Sequence, residues 1–387
     1  MRRHHRATVL ALTTGLLLTA CAGEPTEPVV DVPHGYVEGA EETAEAQSRL
    51  VLADAATGAV RVLDLLTEEV TRLDDIAAVE RVSTDGRFAY LAAGGTTHVV
   101  DGGAWMVDHG DHVHYYRAEI RSTGTLAGHA VAAHTDAAIT AVTLANGTTT
   151  VLDRSTVEDG GTRLGPALDG VAVPFEQRLL VASGDGVAIH DRDGAPLATI
   201  SEPCPAADGT AVTRRGVVFG CTDGALLVRE DDGELVGEKI RYPWPVTEPE
   251  RAREFTHRPG SATPAAPAGE RGVWSLDVAA HAWTLLETGP VVAVNAVGEG
   301  GPLLVLTPDG VLHAHDPATG ERTASRPLLD EPVPSGIAPV IQVDTSRAYV
   351  NDPAARRVYE IDYNDDLRVA RIFELDITPS HIVETGR

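Results

Sequence analysis

Short apolar runs, each cut by a tight polar turn, recur along most of the chain. "RLVLADAATGAVRVLD" (49–64), "RFAYLAAGGTTHVVD" (87–101), "AITAVTLANGTTTVLD" (138–153), "RLLVASGDGVAIHD" (178–191) and "GVVFGCTDGALLVRE" (216–230) share one plan. So do "RGVWSLDVAAHAWTLL" (271–286), "PLLVLTPDGVLHAHD" (302–316) and "RAYVNDPAARRVYEID" (347–362). Val, Leu and Ile alternate with small or polar residues, the period of a strand. Turns such as "TG", "NG", "DG" and "GD" stand where a hairpin needs positive φ. A further extended stretch precedes most hairpins ("VERVSTDG", "AVAAHTDA", "TAVTRRG") and another follows ("EEVTRLDD", "APLATIS").

Four antiparallel strands repeated about every forty residues predict an all-β fold, a β-propeller. Eight hairpins predict eight blades. Seven is the alternative, because residues 242–268 are irregular and Pro-rich, and a pair of β-sandwiches is a third reading. The chain closes on "PSHIVETGR", which resembles a strand preceding a hairpin, whereas the hairpin at Arg49 has none before it. The C-terminal strand is therefore expected to complete the first blade and close the ring.

The N-terminus has a different pattern. "MRRHHRATVLALTTGLLLTAC" has a basic start, an apolar run and a small-residue end, which reads as a secretory signal peptide over residues 1–20. Its end fits the bacterial lipobox, with Cys21 lipidated as the mature N-terminus; an ordinary cleaved signal is the alternative. Residues 21–48, Pro- and Glu-rich without an apolar period, read as a flexible tether. The propeller then occupies 49–387. The expected location is outside the cell, held to the outer face of the membrane by the lipid.

A net charge of −26 argues against nucleic acid and against anionic lipid surfaces as partners. The chain has three cysteines, so Cys204 and Cys221 remain after the anchor. Cys204 lies just before the innermost strand of the fifth blade and Cys221 in the next strand. Adjacent antiparallel strands outside the cell favour a disulfide there over a zinc thiolate site, since no CxxC spacing is present.

One stretch breaks the repeat. Between "THVVD" and "RAEIRSTGTL" runs "GGAWMVDHGDHVHYY", about a dozen residues longer than the equivalent turns. Three of the chain's 15 histidines fall within it. His112 and His114, two apart, project from one face of an extended strand, a spacing that suits two ligands on a tetrahedral zinc ion. His109, across Gly110, can supply a third. Asp108 and Asp111 are candidates for a fourth ligand or for holding the imidazole N–H groups. A solvated loop and a catalytic histidine pair are the competing readings.

Closure from elsewhere is expected of a loop site. "GHAVAAHTD", the innermost strand of the third blade, carries His129 and His134. Asp208 and His381 hold similar starting positions in other blades, and His34 in the tether could reach a site. His98, His190, His281, His313 and His315 read as packing or surface residues. No GxSxG, P-loop or HExxH motif occurs, and no carboxylate pair stands out for acid–base work.

In "PHGYVEGAE", "SRLVLADAATGAVRVLDL", "VDHGDHVHYY", "GHAVAAH", "CP…GVVFGCTDG" and "YVNDPAARRVYEIDY…VETGR" the chain resembles the AztD-like secreted zinc metallochaperones, which accompany Azt-type zinc ABC importers. The resemblance implies zinc as cargo and an importer's solute-binding protein as partner. It also implies that His109, His112, His114, His129 and His134 match metal-binding segments. Two departures stand out: Asp208 replaces a histidine of the family's pattern, and the long His-rich N-terminal tract of some members is absent.

The leading expectation is a monomeric, lipid-anchored zinc carrier that hands its metal to that solute-binding protein, and not an enzyme. A metal-dependent propeller hydrolase or lactonase, and a scaffold propeller without metal, are the alternatives.

Overall fold

In a computed structural model, residues 37, 39–109, 112–333 and 339–387 are described. Residues 1–20, which read as a signal peptide, and Cys21, His34 and Asp111 lie outside the described residues. Among those described, no helix is long and apolar enough to cross a membrane.

Val37–Arg387 form one compact all-β unit. Among the described residues, seven four-stranded and two three-stranded antiparallel sheets account for the strands. The repeat read from the sequence is plain in the third sheet, ordered Ala130–Thr135, Ile139–Leu144, Thr148–Asp153, Arg163–Asp169. The first sheet begins instead with the C-terminal strand His381–Thr385, followed by Arg49–Ala53, Val60–Asp64 and Val70–Leu73. Val51 faces Val383 on one side and Val62 on the other. The expected pairing of the chain's last strand with its first hairpin is present.

Each sheet packs on the next. His381–Thr385 contacts Val79–Thr84 of the second sheet, which contacts Ala130–Thr135 of the third; Ile341–Val343 of the eighth contacts His381–Thr385 again. This stacking explains the composition of the second strands. Arg49–Ala53, Phe88–Ala93, Ile139–Leu144 and Leu303–Leu306 are buried at every position. A strand covered on both faces reads as a continuous apolar run. The fourth strands are mostly exposed or half-buried, Pro196–Thr199 throughout exposed, and carry no such demand.

The sixth sheet has three strands, Ala265–Pro267, Val273–Asp277 and Ala282–Leu286. The Pro-rich segment packs against it. Trp274 Nε1 donates to Glu250 O at 2.7 Å, Trp283 Nε1 to Ile240 O at 3.1 Å, and the Tyr242 ring lies 4.8 Å from that of Trp283. The Cys204–Cys221 disulfide is present, both cysteines fully buried, Cys221 in the fifth sheet and Cys204 ahead of its first strand.

Two features of the chain differ from the sequence pattern. The long insertion after Asp101 is a hairpin, Ala104–Asp108 and Val113–Arg117. Glu41–Thr43, within the segment that reads as tether, adds a third strand to it, with Glu41 opposite Arg117 and Thr43 opposite Tyr115. Two glutamates and a threonine carry no apolar period, so the strand has no local signature; it exists because the hairpin offers it an edge.

Candidate metal centre

The base of the inserted hairpin is fixed to the body of the fold. Trp105 and Tyr116 are buried and stack at 5.5 Å, and the Arg87 guanidinium lies 3.9 Å above the Trp105 ring. Arg49 Nη1 donates to Gly102 O at 2.7 Å and Gly103 O at 2.8 Å. Gly103 sits at φ +64, where a Cβ would come within 2.5 Å of Ala118 O. Only glycine allows that close approach without strain.

At the other end, His109 N–H donates to His112 O at 2.9 Å. This turn brings His109 back over the strand that carries His114, itself opposite Val107. The ring centroids of His109 and His112 are 4.8 Å apart, those of His112 and His114 4.9 Å, and those of His109 and His114 5.2 Å. One nitrogen from each ring lies within 4.8 Å of the others. Nitrogens about 2.0–2.1 Å from a tetrahedral zinc stand roughly 3.3 Å apart, so small side-chain rotations close the set around one ion. His109 and His112 are exposed, and His114 is half-buried.

His114 is also held from behind. Its Nδ1 lies 2.7 Å from Glu42 Oε1, on the strand Glu41–Thr43. Its ring stacks on Tyr116 with centroids 6.3 Å apart. On the opposite face Arg117 donates to Glu41 Oε2 through Nε and Nη2, at 2.9 and 2.8 Å.

His109, His112 and His114 are therefore brought together; among the described residues no other group of three or more metal-capable side chains is. The remaining candidates lie on inner strands or at their starts. His129 Nδ1 lies 3.8 Å from Glu80 Oε2. His134 Nε2 is 2.9 Å from Thr210 Oγ1, and burial, then the charge of a protonated His257, push it down to about 4. His381 Nε2 is 3.2 Å from Val79 O, and burial lowers it. Asp208 pairs with Arg253 at 3.8 Å. These four are not members of the hairpin's group of three: His129 and His134 belong to the third sheet, His381 to the first, and Asp208 precedes the inner strand of the fifth, whereas Glu42 contacts His114 directly.

Two residues of interest carried no signal in the sequence. Glu42 is one of many acidic residues in its segment. His257 lies in the irregular stretch, yet it couples to His134 and its Nε2 is 2.9 Å from Val212 O.

Fold and site define a class: repeated antiparallel sheets, each packed on the next, with a three-imidazole cluster on an inserted hairpin. AztD from Citrobacter koseri has this fold. Its crystal structure matches with a TM-score of 0.72 at 20% identity, over 88% of this chain and 98% of that one. Apo AztD from the same organism matches with a TM-score of 0.73 at 19% identity, over the same shares. The dihydro-heme d1 dehydrogenase NirN is more distant, with a TM-score of 0.55 at 15% identity over 89% of this chain and 76% of that one. At these identities the likeness is one of fold. No family model and no curated protein matches the chain.

Proposed function

We propose that this protein is an extracytoplasmic zinc carrier, a metallochaperone that delivers zinc to the solute-binding protein of a zinc ABC importer. The observation that carries this reading is the group of three imidazoles within 4.8 Å at the tip of an anchored hairpin. Imidazole nitrogen is a preferred ligand of zinc. His109 and His112 are exposed. An incoming protein's ligand can therefore reach the ion while His114 still holds it, and stepwise exchange moves the metal without releasing it to water. The AztD fold and the sequence resemblance support the same assignment. The ion is cargo and the protein no enzyme.

The remaining parts of the reading follow. The eight successive sheets are the blades of a propeller whose ring is completed by His381–Thr385. Lipidation of Cys21 would keep the carrier at the membrane surface beside its importer.

The test is dialysis against zinc followed by metal analysis of wild type and of the His112→Ala/His114→Ala double variant. Wild type is expected to retain about one zinc and load an apo solute-binding protein. The variant should keep its circular dichroism spectrum and do neither. Wild type without zinc above background, or a variant that binds as wild type does, would overturn the assignment.

A further inference from the structure

The three histidines come from one hairpin, but the side chain that braces His114 comes from a segment 72 residues away. In the antiparallel register Glu42 lies opposite Tyr116. Side chains alternate across a strand, so Glu42, Tyr116 and His114 share one face, with Glu42 and His114 as diagonal neighbours. Tyr116 forms the floor on which the imidazole lies, and Glu42 reaches its near edge. A slip of one residue would turn Glu42 to the other face. The Arg117–Glu41 pair lies on the other face, away from His114.

The chemistry of the contact is directional. A carboxylate only accepts hydrogen bonds, so at 2.7 Å the imidazole must donate from Nδ1. A neutral imidazole with its proton on Nδ1 has its lone pair on Nε2. A carboxylate on the second nitrogen fixes tautomer and ring orientation and makes the ligating nitrogen more basic.

We propose that Glu42 is the positioning residue of the metal centre: it presents His114 with Nε2 free for the ion, and the strand Glu41–Thr43 is the clasp that completes the site. This inference rests on the zinc-site reading above and adds a dependence on the N-terminal strand. The clasp is built to open. It is three residues long, lies at a sheet edge, and two of its residues are exposed. While it is paired, His114 is an oriented ligand; once it leaves, His114 is an ordinary imidazole, and the ion is more easily surrendered.

The experiment compares zinc affinity, by competition with a chromophoric chelator, across wild type, Glu42→Ala, Glu42→Gln, Glu41→Ala and His112→Ala/His114→Ala in the full chain. Glu42→Ala is expected to weaken zinc by about 10–100-fold, the range seen when such outer partners are removed. Glu42→Gln, whose amide oxygen still accepts from Nδ1–H, should recover most of that loss. Glu41→Ala should lose far less, since it frees Arg117 but leaves the carboxylate on His114. If wild type binds, the double histidine variant does not, and Glu42→Ala binds like wild type, the clasp is overturned while the zinc site stands. Equal losses from Glu42→Ala and Glu42→Gln, or from Glu42→Ala and Glu41→Ala, would overturn the orienting role. A wild type that binds no zinc would remove the site and the clasp together.

Discussion

Gly147 and Gly209 both hold positive φ, +84 and +79, but their surroundings differ. A Cβ on Gly147 would point into open space, whereas one on Gly209 would sit 1.7 Å from Arg253 O. Gly147→Ala should therefore cost only the strain of a left-handed alanine, about 1 kcal/mol. Gly209→Ala adds a backbone collision and should cost roughly 1–3 kcal/mol more. Urea unfolding of the two variants measures the difference; equal midpoints would show that the loop around Gly209 yields freely. At this scale the sequence is uneven. "DHGDHVHYY" is conspicuous because three histidines and two aspartates interrupt a repeat that has no other use for them. Glu42 and His257 are invisible, since a lone acid in an acidic segment and a lone imidazole in a Pro-rich one have no spacing to betray them. Asp208, His129 and His381 stand at or just before the start of an inner strand and His134 near the end of one, but such positions say nothing about which sheets face each other closely enough to share an ion.

At the scale of elements the fifth sheet shows how a covalent link complements packing. Cys204 precedes its inner strand, Cys221 ends the next, and the bond closes a loop with a sequence separation of 17. On the chain-entropy account a loop near that size contributes about 3 kcal/mol. The Cys204→Ala/Cys221→Ala variant should lose about that much unfolding free energy in urea and keep wild-type zinc affinity, because the hairpin belongs to a different sheet. A variant that loses its zinc in the folded state would tie the two together. This bridge was legible because the repeat placed Cys204 just before one strand and Cys221 on its neighbour. The hairpins were legible for a similar reason: turn dipeptides with positive φ mark them. The inserted hairpin was not, because its glycines and histidines imitate a loop, and Glu41–Thr43 was not, because only its partner makes it a strand.

At the scale of the whole molecule, imidazoles partly or fully withdrawn from water set the response to acid. His134 is pushed down to about 4, mainly by burial. Burial also lowers His257, His313, His315 and His381. Between the ordinary value of 6.5 and the lowered one, the unfolded chain takes up protons that the folded chain refuses. Their contribution is thus complete above about pH 6.5 and is lost as pH falls below it, for His134 down to about 4. Glu384, whose carboxyl burial raises, acts in the opposite sense but is a single group against five. The melting temperature of metal-free protein should fall steadily from pH 7 to pH 5, and His134→Gln should remove part of the slope. A melting temperature that rises on acidification would show that these imidazoles are hydrated. The overall architecture was the most legible level of all: a period near forty residues survives irregular loops, because each sheet needs the next to cover its second strand.

The pairing of Arg49–Ala53 with His381–Thr385 has a consequence for the order in which the molecule can be made. The Ala55 N–H meets the Ser380 hydroxyl across 325 residues of chain. Until that distant segment has left the ribosome, the first sheet is one strand short, and the edge of its most apolar strand is open to any other strand that passes. The stability cost of so long a loop grows only logarithmically, but the waiting time does not shrink with it. The first sheet to be synthesised is therefore the last to be finished. A route that threads the chain across a membrane in extended form, and lets it fold on the far side, interrupts no finished structure.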